Sequence, residues 1–256
     1  MKLSIDVGNS QIHGGLFVGD DLVVRFRRIT ERGASSDELG LFFRQVVREN
    51  GWDPEEVEAI GFCSVVPDVN HSLANACRKY FEVEPFVLRA GVKTGLKIRY
   101  KNPTEVGADR IAGAAGAVAR FPESNIVIID LGTATTVEAV SADREYLGGA
   151  IVPGLLISMR ALEQNTARLP KVEILRPAQS CGRSTVESIQ SGLFFGQLGM
   201  LRELRDRVRR ECFSDEQTVV LGTGGFASLF AGSGLFDEVQ SDLALEGVRL
   251  IQEMNE

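Results

Sequence analysis

Two short stretches of this chain place a carboxylate where an apolar strand stops. Residues 125–140 read NIVIIDLGTATTVEAV, an apolar run that ends on Asp130 and passes through Gly132 into threonines. Residues 2–18 read KLSIDVGNSQIHGGLFV, where Asp6 is followed by Gly8, Asn9, Ser10 and a second apolar strand. Burying an unpaired carboxylate is costly, so an acid at the end of a core strand needs a partner. One such Asp-x-Gly step is an ordinary turn, because Asp accepts hydrogen bonds from backbone N–H groups two residues on. Two copies, each between strands and each followed by Ser, Thr or Asn, suit a different task. Such loops expose backbone N–H groups and hydroxyls that can cradle phosphate oxygens. The carboxylates Asp6 and Asp130 can hold a divalent ion bridging those phosphates. Cation, donors and an oriented nucleophile are together what phosphoryl transfer requires.

The surrounding sequence supplies elements to carry these turns. Lys2–Ile5 and Ile12–Val18 read as a hairpin, and Leu22–Ile29 as a third strand whose Arg25, Arg27 and Arg28 form a solvated face. Ser36 is the expected N-cap of a helix that Gly51 ends. A buried strand over 58–65, a helix over 69–81 and a short strand over 86–89 follow. The segment GADRIAGAAGAVARF from Gly107 reads as a helix whose small residues, Ala108, Ala112, Ala115, Gly116 and Ala119, allow close approach within the chain or across a dimer. The second half repeats the theme. Strands end at Asp130 and Val140, a short strand lies near 146–147, another spans 149–152, and a helix covers 155–164. Residues 165–184 are irregular and suit a lid or substrate loop. One helix then runs from Ser184 or Thr185 to about Gly199 and a charged one to about Arg210. The strand at 218–221 leads through GTGG towards a helix, a phosphate- or nucleotide-facing arrangement in many α/β proteins.

Bulk composition narrows the partners. The chain has 256 residues, enough for one large or two medium domains, with 44% hydrophobic and 25% charged residues. A net charge of −7 disfavours non-specific binding to nucleic acid or anionic membrane. The arginines at 205, 207, 209 and 210 alternate with acids and read as a solvated helix face. The four cysteines lack CxxC spacing, which fits free thiols. No apolar run nears the ~20 residues of a membrane span, and the chain opens directly on a strand, so the cytoplasm is the expected location. His13 and His71 are each alone and read as no metal site.

The motifs DVGNS at 6–10, GADR at 107–110, DLGTATT at 130–136 and GTGG at 222–225 resemble the acetate kinase, sugar kinase, heat-shock ATPase and actin superfamily. Within it, YKNPTEVGADRIAGAAGA and STVESIQSG are similar to the type III pantothenate kinase family, and the likeness runs in order along almost the whole chain. The resemblance implies an α/β fold of two tandem ribonuclease H-like (actin-like ATPase) domains, taken here as 1–113 and 114–256, with ATP in the cleft between. It implies phosphorylation of pantothenate to 4′-phosphopantothenate, the opening step of coenzyme A synthesis. Asp6, Val7, Gly8, Asn9, Ser10, Gln11, Ile12 and His13 then match the ATP phosphate loop, Asp6 also facing a divalent ion, and Thr133 matches an ATP contact. Asp109 matches the catalytic base, and Gly107, Ala108 and Arg110 the rest of the substrate-binding GADR. Tyr100 and Thr185 match further pantothenate contacts, the threonine reaching across a homodimer. Asp130 matches the monovalent-cation ligand. Mg²⁺ with ATP, and K⁺ or NH₄⁺, are the implied cofactors.

The residues themselves bear part of this out. Asp109 near a helix start gains from the positive end of the dipole, and Arg110 suits a substrate carboxylate. An ordinary surface Asp–Arg pair is the alternative there, as an N-cap is for Thr185, an interface contact for Tyr100, and a plain turn rather than an adenine contact for Gly224 and Gly225. Two other functions remain compatible: a non-catalytic regulator, since proteins similar to the family have been described as accessory factors for transcription, and a superfamily kinase acting on sugar, acetate or polyphosphate. The completeness of the set Asp6, Asp109, Arg110, Asp130 and Thr133 favours the enzyme.

Overall fold

A computed structural model describes residues 1–214 and 216–256. The chain divides into two compact units: Met1–Leu96 with Lys101–Ala119 and Leu243–Glu256, and Lys97–Tyr100 with Arg120–Asp242. A division at 113/114 would fall inside a helix, Ala108–Arg120.

The first unit is built on strands β1 (Lys2–Val7), β2 (Gln11–Val18), β3 (Asp21–Ile29), β4 (Ala59–Ser64) and β5 (Phe86–Val87), in the order β3-β2-β1-β4-β5. β1, β2 and β3 are antiparallel neighbours, whereas β1 runs parallel to β4. Helix α1 (Ser36–Glu49) starts with a capping box in which Ser35, one residue earlier than expected, is the cap and Glu38 closes it. Helix α2 (Pro67–Phe81) takes Pro67 in its first turn, where the missing N–H costs nothing. Leu3, Ile5, Leu39, Phe43, Ile60, Phe62 and Leu73 form the core between sheet and helices.

Helix α3 (Ala108–Arg120) packs on the C-terminal helix, and the approach is backbone to backbone. A Cβ on Gly116 would meet the Leu243 carbonyl oxygen at 2.2 Å, and one on Gly247 the Ala112 carbonyl oxygen at 1.8 Å. The small residues of α3 are therefore used inside the chain.

The second unit repeats the plan. β6 (Lys97–Ile98), β7 (Asn125–Leu131), β8 (Ala134–Val140), β9 (Glu145–Pro153), β10 (Thr218–Thr223) and β11 (Glu238–Val239) lie in the order β11-β10-β7-β8-β9-β6. β7, β8 and β9 are antiparallel, and β7 runs parallel to β10, so β7 occupies the place that β1 has in the first sheet. β9 is one strand, not two. A register shift at Ala139/Val140, opposite the left-handed Gly148, bends it without ending the pairing. Helix α4 spans Leu155–Asn165, and α5 runs unbroken from Thr185 to Phe213, where two helices were expected. Ile189, Leu193, Phe194, Leu198 and Leu201 keep one buried face through Gly196 and Gly199, so tertiary packing overrides the glycines. The charged end of α5 is also not simply solvated: Arg205 donates to the carbonyls of Gly234 and Leu235 at 2.8 and 3.1 Å. After β10 the chain forms only a short 3₁₀ turn, Ala227–Phe230. Helix α6 (Leu243–Glu253) closes the chain. Among the described residues no helix is long and apolar enough to cross a membrane.

Candidate active site

In the first unit the 6–13 segment is the end of β1, a turn, and the start of β2. Asp6 pairs in register with His13 on one side and Cys63 on the other. The buried Cys63 thiol donates to Asp6 Oδ1 at 3.3 Å. Burial pushes the Asp6 carboxyl up to about 7, the negative charge of Asp109 adds to the rise, and the Cys63 bond and Arg27 oppose it. The charge of Asp109 thus reaches Asp6 although 103 positions separate them along the chain. Arg27, set opposite His13 on β3, also donates to Gln11 Oε1 at 3.4 Å. It belongs to the surroundings of the loop and not merely to a solvated face.

Asp109 lies in the first turn of α3. Its Oδ1 accepts from the Arg110 N–H at 2.8 Å, and the Gly107 carbonyl accepts from Ile111 N at 3.1 Å to open the helix. Burial raises the Asp109 carboxyl, with the Arg110 backbone bond opposing. Gly107 gives that carboxylate its place: a Cβ there would lie 2.4 Å from Asp109 Oδ1. The GAD order is thus explained sterically, since the acid folds back across a residue with no side chain. Ala108, the first helical residue, is too small to interfere.

The second unit assembles its own turn cluster around Asp130, which pairs with Thr136 on β8 and Thr223 on β10. Gly224 has φ +85, and a Cβ on it would sit 2.2 Å from Asp130 Oδ1. The Phe226 N–H donates to the Leu131 carbonyl at 3.2 Å, tying the GTGG turn to the 130–133 turn. Gly154, at the N-cap of α4, approaches from a third direction: its Cβ would be 2.3 Å from the Thr133 carbonyl oxygen and 2.6 Å from that of Gly132. Two glycines, Gly224 and Gly154, thus let neighbouring segments close on one carboxylate-bearing turn. Beneath it, the buried pair Gln197 and Thr135 is joined by a 3.2 Å bond.

Tyr100 stacks obliquely on Tyr146, with centroids 6.5 Å apart, and lies over Gly148, whose missing side chain leaves room for the ring. Thr185 opens α5, but Ser184 caps it by accepting from Glu187 N. Thr185 instead borders a cavity of about 470 Å³ with Ser158, Leu162, Leu169, Ser188 and Leu193. The 166–184 segment is tied down along α5, through Gln190 to Glu173 O at 3.0 Å and Ser191 to Ser180 O at 2.5 Å. His71 is an exposed helix residue bonded to Asn75. Among the described residues no group of three or more His, Cys, Asp or Glu side chains gathers to hold a metal ion. A divalent ion here would rely on substrate oxygens besides the carboxylates, and the mutual repulsion of Asp6 and Asp109 fits a place that a cation would relieve.

Sequence reasoning missed Cys63, Arg27 and Gly154. Only Arg27 left a signal, through its alternation along β3. The others depend on pairing between distant strands and turns.

Solved structures with this arrangement include a Campylobacter jejuni protein assigned to the Baf family of transcriptional activators, 19% identical, with a TM-score of 0.62 over 99% of this chain and 98% of that one. A Sinorhizobium meliloti protein assigned as a 2-dehydro-3-deoxygalactonokinase superposes with the same TM-score, 0.62, at 12% identity over 99% and 96%. These define the fold class: the α/β fold of the actin-like ATPases and sugar kinases. The type III pantothenate kinase family model matches residues 2–207. A type III pantothenate kinase of Legionella pneumophila (strain Paris) is 55% identical over 100% of this chain and 99% of its own length. The chain belongs to the type III pantothenate kinase family.

Proposed function

We propose that the protein transfers the γ-phosphate of ATP to the primary hydroxyl of pantothenate, giving 4′-phosphopantothenate and ADP. The observation that carries the reading is the convergence of Asp6 and Asp109 in a chain of this family. Asp109 takes the proton of the pantothenate hydroxyl as the new oxygen–phosphorus bond forms and the bond to ADP breaks. Its raised proton affinity makes it a stronger base while ionised, and the adjacent helix start favours that ionised form. Arg110 offers a forked cation to the pantothenate carboxylate. The 6–13 loop holds the phosphates through backbone N–H groups, and Thr133 contacts ATP. Asp6 faces Mg²⁺, which when bound neutralises charge on the transferring phosphoryl group.

Asp130 is the ligand we assign to K⁺ or NH₄⁺, with Gly224 packed closely against its carboxylate. Tyr100, Gly107, Ala108 and Thr185 complete the pantothenate contacts. The surface of α5 in the second unit is one that a homodimer could use. Gly192, Gly196 and Gly199 of α5 have open space where a Cβ would be, and Val186 and Phe195 beside them are exposed. A cytoplasmic location belongs to the same reading, supported by the four free thiols.

The test is a coupled ADP-release assay with pantothenate, ATP and Mg²⁺, run in potassium, ammonium and sodium. Pantothenate-dependent turnover stimulated by potassium or ammonium is expected. No turnover under any cation, from folded protein, would overturn the kinase in favour of a regulator or a different acceptor.

A further inference from the structure

We propose that Thr30 is a positioning residue that turns two peptide groups of the 6–13 loop so that the N–H groups of Asn9 and Gln11 face phosphate oxygens. The inference rests on that loop being the ATP phosphate loop. Thr30 directly follows β3 and is half-buried. Its hydroxyl donates to the Gly8 carbonyl at 2.6 Å, and its own N–H donates to the Ser10 carbonyl at 3.0 Å. One residue thus holds two alternate carbonyls of the turn.

The consequence follows from peptide planarity. Among the described residues no peptide is cis, and in a trans peptide the C=O and the next N–H point in opposite directions. With the Gly8 carbonyl drawn to Thr30, the Asn9 N–H points away from it. With the Ser10 carbonyl drawn to Thr30, the Gln11 N–H does the same. A two-residue hairpin turn ordinarily closes with the N–H of its fourth residue on the carbonyl of its first. Here the closing bond runs the other way, from Gly8 N–H to the Gln11 carbonyl at 3.0 Å, and the Gly8 carbonyl is taken by Thr30. The Gln11 N–H that would have closed the hairpin therefore points, like that of Asn9, away from Thr30. Turn N–H groups so directed can cradle an anion, and the anion here is the phosphate chain of a nucleotide. The side-chain hydroxyl is the part that valine cannot replace, while the backbone bond survives substitution.

The experiment compares Thr30→Val with Thr30→Ser in the full chain. It measures kcat, the KM values for ATP and pantothenate, competitive inhibition by ADP and by adenosine, and thermal unfolding. In Thr30→Val, losing one hydrogen bond that orders the cradle should raise the KM for ATP and the ADP inhibition constant roughly tenfold. Inhibition by adenosine and the KM for pantothenate should stay within about twofold. Thr30→Ser should restore the ATP values. An unchanged KM for ATP in Thr30→Val, or equal losses for ADP and adenosine, would overturn the inference. If the valine variant does not fold, Thr30→Ala carries the same comparison. Asp6→Asn is run beside them. Impaired turnover in Asp6→Asn with a wild-type KM for ATP in Thr30→Val removes the Thr30 role alone. Full turnover and ordinary ATP use in Asp6→Asn would remove the phosphate-loop reading itself.

Discussion

The thiol of Cys63 and the carboxylate of Asp6 face each other across neighbouring parallel strands, in register, at 3.3 Å. The bond favours the ionised acid in a place where burial opposes it. Replacing Cys63 by Ala should therefore move the acidic limb of the kcat/KM profile to higher pH, whereas Cys63→Ser should leave it near the wild-type position. A pH–rate series on the two variants checks this; coincident profiles for Ala and wild type would remove Cys63 from the site.

Asp6 also links stability to pH. Its folded-state proton affinity, about 7, lies above the ordinary carboxylate value near 4. Between those values the native state holds a proton that the unfolded chain has released. Its stabilising contribution is thus complete at low pH and is lost as pH rises through about 7. Asp6→Asn has no such loss. Its stability relative to wild type should increase from pH 4 to pH 7 by an amount on the order of 3–4 kcal/mol, then level off. Denaturant unfolding at several pH values measures the difference, and a constant offset across the range would count against a buried, ionising Asp6.

Asp109→Asn keeps the shape of the side chain and loses the base. Turnover should fall by a factor on the order of 10²–10⁴, with folding and ATP binding close to wild type. Full activity in this variant would mean that Asp109 is not the proton acceptor.

The cluster at Asp130 gives a paired prediction. Asp130→Asn should weaken stimulation by potassium while leaving some basal turnover. Gly224→Ala should do the same indirectly, because it adds a Cβ 2.2 Å from Asp130 Oδ1 at a residue with φ +85. It should also cost roughly 1–3 kcal/mol of stability. Potassium titrations of both variants, with sodium as control, would show the effect; an unchanged response in Asp130→Asn would reassign the cation.

Much of this was legible in the sequence because it is local. Apolar runs such as Ile126–Ile129 end visibly on an acid, and the GADR and DLGTATT segments carry their residue types in fixed order. The succession of elements along the chain, the repeat of the motif in the two halves and the family all follow from such local signals. The rest depended on distant partners. Nothing near Thr30 says that it will reach Gly8, and nothing near Cys63 says that it will lie against Asp6. The glycines of α5 suggested a break, yet its buried face continues through them. The small residues of α3 named no partner, and only the position of α6 shows what Ala112 and Gly116 pack against.

The return of α6 to the first unit has a consequence for biogenesis. Strand β1 is made before the second unit, yet the helix that Ala112 and Gly116 pack against is made after it. A chain emerging from the ribosome at about 5–20 residues per second can finish the second unit before the first has its final helix. The earlier-made unit is therefore the one that waits, its α3 surface uncovered, until α6 has emerged.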